Sequence, residues 1–250
     1  MATLRISSTQ IEQYRAFWDG DKLFGQPKVS YDKLIEYIKG EFVPTIYTER
    51  GKAFHSILEK TPELKKEGDV EYYEVFSSEM AEYYKFDRNI FREVFKLNKD
   101  MFTPNSTAEL KIAWQFPHPT HEVNIVSMAD RICGNTIAEW KTQWGNKIED
   151  FKDDDEDWFK NIAEEYEKSM QWRLYLHGFK AGRMRYTVAQ LYPLKKNYFT
   201  YNDISSFELE PYRGMEGDIS FYINHFIEFI EYNNLEAYFA KATDPFAVYE

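Results

Sequence analysis

Asp130 and the triplet Glu139-Trp140-Lys141 are the residues of this sequence best suited to chemistry. Successive side chains of a strand point to opposite faces, so Glu139 and Lys141 share one face and Trp140 takes the other. Gly134-Asn135 has the composition of a tight reversal, which returns that face towards Asp130. Two carboxylates and an ammonium then converge among Val126, Met128 and Ile137, where the strand pattern predicts burial. Neighbouring buried anions are unfavourable unless a cation or hydrogen bonds offset them. A hard divalent ion with oxygen ligands would do so, and Mg²⁺ commonly keeps waters available for hydrolysis. The alternative for a Glu-x-Lys taken alone is an ion pair on a solvated strand face.

Three further features bear on that choice. Gly51 and His55 stand four residues apart, on one face of a predicted helix, as do Gln171 and Tyr175 on another. Along the chain the order is Gly-x-x-x-His, Asp, Glu-x-Lys, Gln-x-x-x-Tyr.

This ordered set resembles the PD-(D/E)XK nuclease superfamily, specifically its RecB-like exonuclease branch, over residues 7–186. The resemblance implies an α/β (α+β) fold with a restriction-endonuclease-like core, a mixed central β-sheet flanked by helices. It implies that His55, Asp130, Glu139 and the main-chain carbonyl of Trp140 ligate one or two Mg²⁺ or Mn²⁺ ions. Lys141 would orient or help deprotonate the attacking water, making Asp130, Glu139 and Lys141 the catalytic group. Gln171 and Tyr175 would contact the substrate backbone. Glu109 is an accessory ligand or water-positioning base, or else a solvated strand glutamate. Ala129 stands where the superfamily's name has Pro, a variation common in this branch. Some members hold an iron–sulfur cluster on four cysteines; this chain has only Cys133, which places it with the members without a cluster.

The elements that must position these residues follow from the hydrophobic periodicity. Ser7 and Gln10 read as a capping box opening a helix through Ile11, Tyr14 and Phe17, closed by Gly20 and Gly25-Gln26-Pro27. Further helices are expected over 45–60 and 78–99, the latter from the spacing of Met80, Tyr84, Phe91 and Phe95. Strands are expected over 107–115, 122–131 and 136–142, then a helix over 158–177, strands over 184–193 and 205–211, and a last helix over 217–240. Without a linker or repeat, residues 1–250 read as one domain: a helical N-terminal part (1–105), a catalytic core (106–195) and a C-terminal strand and helix (196–250).

The composition constrains the partners. With 31 Lys and Arg against 42 Asp and Glu, the net charge is −11, the wrong sign for binding a nucleic acid by overall attraction. A DNA partner, meaning single- or double-stranded ends, therefore has to be met by bound metal or by a local basic patch. Lys180, Arg183, Arg185, Lys195 and Lys196 are the candidates for that patch, with Trp144, Trp172 and Tyr186 as stacking surfaces; the alternative is scattered surface charge. Asp153 to Asp157 read as an acidic helix N-terminus, and His118-x-x-His121 as a turn without a third zinc ligand. No apolar run approaches roughly 18 residues, so no membrane association is expected. The N-terminal residues carry no secretory pattern, and a cytoplasmic setting, in a bacterial or phage-infected cell, is expected.

The reading is a metal-dependent DNA nuclease, an exonuclease of recombination, repair or phage DNA metabolism, alone or beside a helicase or annealing protein. The rival reading is a non-catalytic nucleic-acid-binding or scaffold subunit that keeps the fold.

Overall fold

The computed structural model describes residues 2–23, 26–41, 43–60, 62–151 and 158–240. The acidic stretch Asp153 to Asp157 and Gly25 lie outside the described residues. In chain order the elements are β1 (Ala2–Ser7), α1 (Ser8–Trp18), β2 (Lys22–Leu23), β3 (Gln26–Pro27), α2 (Tyr31–Lys39) and α3 (Ile46–Lys60). Next come β4 (Lys65–Glu67), β5 (Val70–Ser77), β6 (Glu82–Asp87), α4 (Arg88–Leu97), β7 (Ser106–Phe116), β8 (His121–Cys133) and β9 (Thr136–Trp144). The chain continues through α5 (Trp158–Lys168), α6 (Met170–Phe179), β10 (Arg183–Lys195), β11 (Tyr198–Leu209), α7 (Met215–Tyr232) and α8 (Glu236–Phe239).

Nine strands form one mixed sheet in the order β1-β8-β9-β10-β11-β6-β5-β4, with β7 on the second edge of β8. The pairs β1/β8, β9/β10 and β11/β6 are parallel and the others antiparallel. Helices cover both faces, as expected of a mixed central sheet in an α/β protein. On one face α1, α2, α6 and α7 pack through Ile11, Leu34, Leu174 and Phe226 onto Ile125, Ile137 and Met184. On the other, α3 and α4 pack through Phe54, Ile57 and Phe91 onto Trp140, Leu191 and Phe199.

Local chemistry explains the element starts. Ser7 accepts from the Gln10 N–H while the Gln10 side chain accepts from the Ser7 N–H, so the expected capping box forms. Gly134 adopts φ +57° in the β8–β9 turn, the left-handed region that an unbranched glycine enters without strain.

Five expectations are corrected. Residues 78–87 are not helical: Tyr84 and Phe86 alternate into the core as strand β6, and Asp87 ends that strand and caps α4 by accepting from the Asn89 N–H. The N-terminal part is not simply helical, since β1, β4, β5 and β6 all join the sheet. The helix expected over 158–177 is interrupted at Ser169, which is extended (φ −62°, ψ 140°) and caps a second helix through the Gln171 N–H. The strand expected from 205 begins at Tyr198, and the helix expected over 217–240 divides into α7 and α8.

No helix among the described residues is long and apolar enough to cross a membrane.

Candidate active site

The candidate site sits where the sheet forks. β7 occupies one edge of β8 from Val123 to Cys133. The other edge is taken by β1 as far as Val126 and by β9 from Arg131 onwards. Residues 127–130 therefore face a gap between β1 and β9. The β8–β9 ladder stops at the Arg131/Ala138 pair, and side chains take over from main-chain carbonyls. Glu139 Oε1 accepts the Asp130 N–H at 2.9 Å, and Asp130 Oδ2 accepts the Trp140 N–H at 2.9 Å. Both amides would otherwise be unpaired at the opening, and a buried unpaired N–H is costly.

The face alternation of β8 slips at the same place. Val123, Ile125 and Ala129 belong to the first core and Ile132 packs against it, so one residue too few separates the last two for strict alternation. Met128 and Asp130, on the face opposite Ile125 and Ala129, line a cavity of about 410 Å³ with Gly51, Lys52, His55, Glu59 and Glu109. The β7–β8 register carries Ala108 opposite Arg131 and Leu110 opposite Ala129, which sets Glu109 beside Asp130. Glu109 itself leaves the ladder at φ +47°, a conformation that strains a residue with a Cβ. Three acids, Glu109, Asp130 and Glu139, thus stand in one row across three adjacent strands.

His55 comes from α3, its Nδ1 3.4 Å from Asp130 Oδ1. Lys141 Nζ lies 2.8 Å from Glu139 Oε2. The spacing of Gly51, His55 and Glu59 by four residues places all three on one stripe of that helix. Glu59 was missed from the sequence, although its spacing from His55 equals the spacing of His55 from Gly51.

The electrostatics follow from burial and neighbours. Burial alone would raise the Asp130 carboxyl, but the His55 ring, Lys141 and the Trp140 N–H outweigh it and hold it below the usual carboxylate range. For Glu139 burial and the Asp130 charge win over Lys141, and its carboxyl is raised. Burial opposes charge on Lys141 and His55, yet Glu139 and Asp130 raise the lysine, and Asp130 raises the histidine. Glu59 is pushed up to about 7 by burial and then by Glu109. The cavity wall therefore carries more carboxylates than cations.

Those donors suit a hard divalent ion in chemistry, being carboxylate oxygens and one imidazole. They are not arranged as a finished cage. Among the described residues no three His, Cys, Asp or Glu side chains are gathered at metal-holding positions. Glu139, 2% exposed, lies behind Asp130, engaged with an amide and with Lys141. The Trp140 side chain is buried and stacks on Phe102 at a ring separation of 5.6 Å.

Gln171 and Tyr175 are held together on α6, Gln171 Nε2 donating to Tyr175 Oη at 3.2 Å. Gln171 lines a second cleft with Gln143 and Tyr166 rather than the His55 cavity. Three of the five cations offered for a basic patch are held in ion pairs with acids. Arg183 pairs with Glu208 and Glu210, Arg185 with Asp100 and Glu208, and Lys196 with Glu82. Tyr186 and Trp172 are buried and present no face to a base, and Trp144 packs against Phe86 and Phe199. His118 and His121 stack, and His121 Nε2 meets Glu231 Oε1 at 2.7 Å, which fits the turn reading.

No model of a known protein family matches the chain. No curated protein sequence matches it either. Among solved structures it is similar to SSO0001, with 16% identity and a TM-score of 0.46 over 90% of this chain and 75% of that one. It is also similar to a phage-related exonuclease from Haemophilus somnus 129PT, with 10% identity and a TM-score of 0.40 over 96% and 95% of the two chains. At these levels neither likeness bears on chemistry, and the functional reading rests on the residues.

Proposed function

We propose that this chain is a metal-dependent DNA nuclease that hydrolyses phosphodiester bonds, an exonuclease serving recombination, repair or phage DNA metabolism. One observation carries the reading: His55, distant in sequence, joins Asp130, Glu139 and Lys141 of one hairpin in a connected chain through contacts of 3.4, 2.9 and 2.8 Å at the fork of the sheet.

His55, Asp130, Glu139 and the Trp140 carbonyl would hold one or two Mg²⁺ or Mn²⁺ ions, with Glu109 as an accessory. Bound there, the metal would supply Lewis-acid polarisation of the phosphodiester and a more acidic water. Lys141, held protonated by Glu139 and Asp130, donates hydrogen bonds from Nζ and so orients the attacking water and offers positive charge to the phosphate. Gln171 and Tyr175 would contact the substrate backbone. The positive charge brought by metal would offset part of the −11 of the chain, at the place where the phosphate binds.

The test is degradation of linear and closed circular DNA with Mg²⁺ or Mn²⁺. Linear DNA should be lost, and Asp130→Ala or Lys141→Ala should lower the rate by about 10²–10⁴-fold, the scale of losing a catalytic group. Full activity in both variants would refute the assignment. Circles cut as fast as linear ends would reject only the exonuclease part.

The non-catalytic reading is favoured by the absence, among the described residues, of a preassembled three-ligand cluster. It predicts DNA or partner binding without metal-dependent turnover in the same assay.

A further inference from the structure

We propose that the cleft beside Lys141, lined by Gln13, Gln143, Tyr166 and Gln171, receives the terminal nucleobase of a DNA strand. It rests on the nuclease reading only for the strand end as its occupant. Glu139, Lys141 and Gln143 alternate onto one face of β9, so Gln143 stands two residues, about 6.6 Å, beyond Lys141. The cleft has a volume of about 180 Å³. Its back wall is firm, since Tyr166 stacks on the buried Tyr186 at 4.6 Å.

The orientation of its amides is set from outside. Asn202 Nδ2 donates to Gln190 Oε1 at 2.9 Å, and Gln190 Nε2 donates to Gln143 Oε1 at 3.3 Å. Gln190 is buried, so this relay fixes Gln143 with its carbonyl engaged and its NH₂ left as a donor. Gln171 is set the other way: its NH₂ donates to Tyr175, which leaves its carbonyl as an acceptor. The Gln13 side chain makes no hydrogen bond among the described residues. The cleft thus offers a donor and an acceptor from opposite walls.

Charge decides between a base and a phosphate. Glu12 and Glu165 also line the cleft. Glu12 is tied to Arg15 and accepts from Ser169 Oγ, and Glu165 is ion-paired with Lys28. Lys28 lines the cleft too but is already committed to Glu165, so a phosphate would meet one paired ammonium against two carboxylates. A nucleobase is neutral and carries donor and acceptor groups on its edges. All four bases present both, so the pocket would tolerate any of them.

The experiment is calorimetric titration, in metal-free buffer, with each 5′-deoxynucleoside monophosphate and with deoxyribose 5-phosphate, which lacks the base. The nucleotides should bind at least about tenfold tighter than the sugar phosphate, a difference of roughly 1.4 kcal/mol. Gln143→Leu should bring them within about twofold, and Gln13→Leu, on a partly exposed helix position, should narrow the gap should Gln143→Leu fail to fold. Equal binding of sugar phosphate and nucleotides, no binding, or a gap unchanged in both variants would overturn the proposal. A chain that discriminates nucleotides but leaves linear DNA intact with Mn²⁺ keeps the pocket and sinks the nuclease reading. One that degrades DNA without discriminating nucleotides does the reverse.

Discussion

Glu139 and Asp130 each cap a main-chain amide across the fork, Glu139 that of Asp130 itself and Asp130 that of Trp140, both at 2.9 Å. The two acids therefore hold the strands at the spacing the site needs, and any catalytic role is superimposed on a structural one.

Removing the Glu139 carboxylate leaves the Asp130 N–H and the Lys141 ammonium without their partner. Glu139→Ala should cost about 3–5 kcal/mol, the scale of breaking a buried pair from one side. Glu139→Gln, which keeps an acceptor, should cost less. Urea unfolding of both variants measures this, and a loss below about 1 kcal/mol for Glu139→Ala would contradict the capping role.

Stability should fall as pH rises from about 4.5 through neutrality. Glu59 titrates at about 7 in the fold against an ordinary 4.5, so the folded state binds its proton more tightly and loses stability between those values as pH rises. His55 is also raised, so its contribution is complete below its ordinary value of 6.5 and is lost as pH rises through the folded one. Asp130 acts oppositely: lowered, it stabilises above 3.8, and that contribution is lost as pH falls through its folded value. Thermal melts of Glu59→Gln should show a higher Tm than the parent at pH 8 and little change at pH 4. A lower Tm at pH 8 would oppose the account.

Divalent ions supply an independent check. A ligand that binds only the folded state adds about 2.7 kcal/mol at a hundred times its Kd. Millimolar Mn²⁺ should therefore raise the Tm, chelator should reverse it, and Asp130→Asn should abolish the shift. A Tm indifferent to Mn²⁺ would leave the carboxylates as structural caps alone.

Two glycines should respond in opposite ways to alanine. A Cβ at Gly51 would meet only Thr142 Oγ1, at an ordinary 3.8 Å, so Gly51→Ala should stabilise α3 by up to about 1 kcal/mol. At Gly178 it would stand 2.5 Å from Trp114 Nε1, and Gly178→Ala should cost about 1–3 kcal/mol through overpacking. Denaturation midpoints distinguish them. Should Gly51→Ala fold better yet lose DNA degradation, that glycine would be reserved for the approach of substrate.

What could be read from the sequence was whatever is local. The Ser7–Gln10 capping box, the Gly134-Asn135 reversal and the strand over 136–142 each depend on neighbours within a few residues, and each is found. The helix spacing that singled out His55 also held Glu59, one turn further on, which went unread. The segment 78–87 failed because Met80 and Tyr84 satisfy a helical spacing as well as an alternating one, and only pairing with β5 and β11 decides between them. Tertiary structure alone decided the rest. Whether Arg183 and Arg185 reach a phosphate or a neighbouring glutamate depends on where β11 lies, and Tyr186 is a core residue because Tyr166 and Phe207 cover it. The fork between β1 and β9 is likewise a property of strand partners far apart in the chain. Spacing along a polymer fixes which side chains share a face; only the packed sheet fixes which of them lose water, meet a counter-charge and so acquire the means to do chemistry.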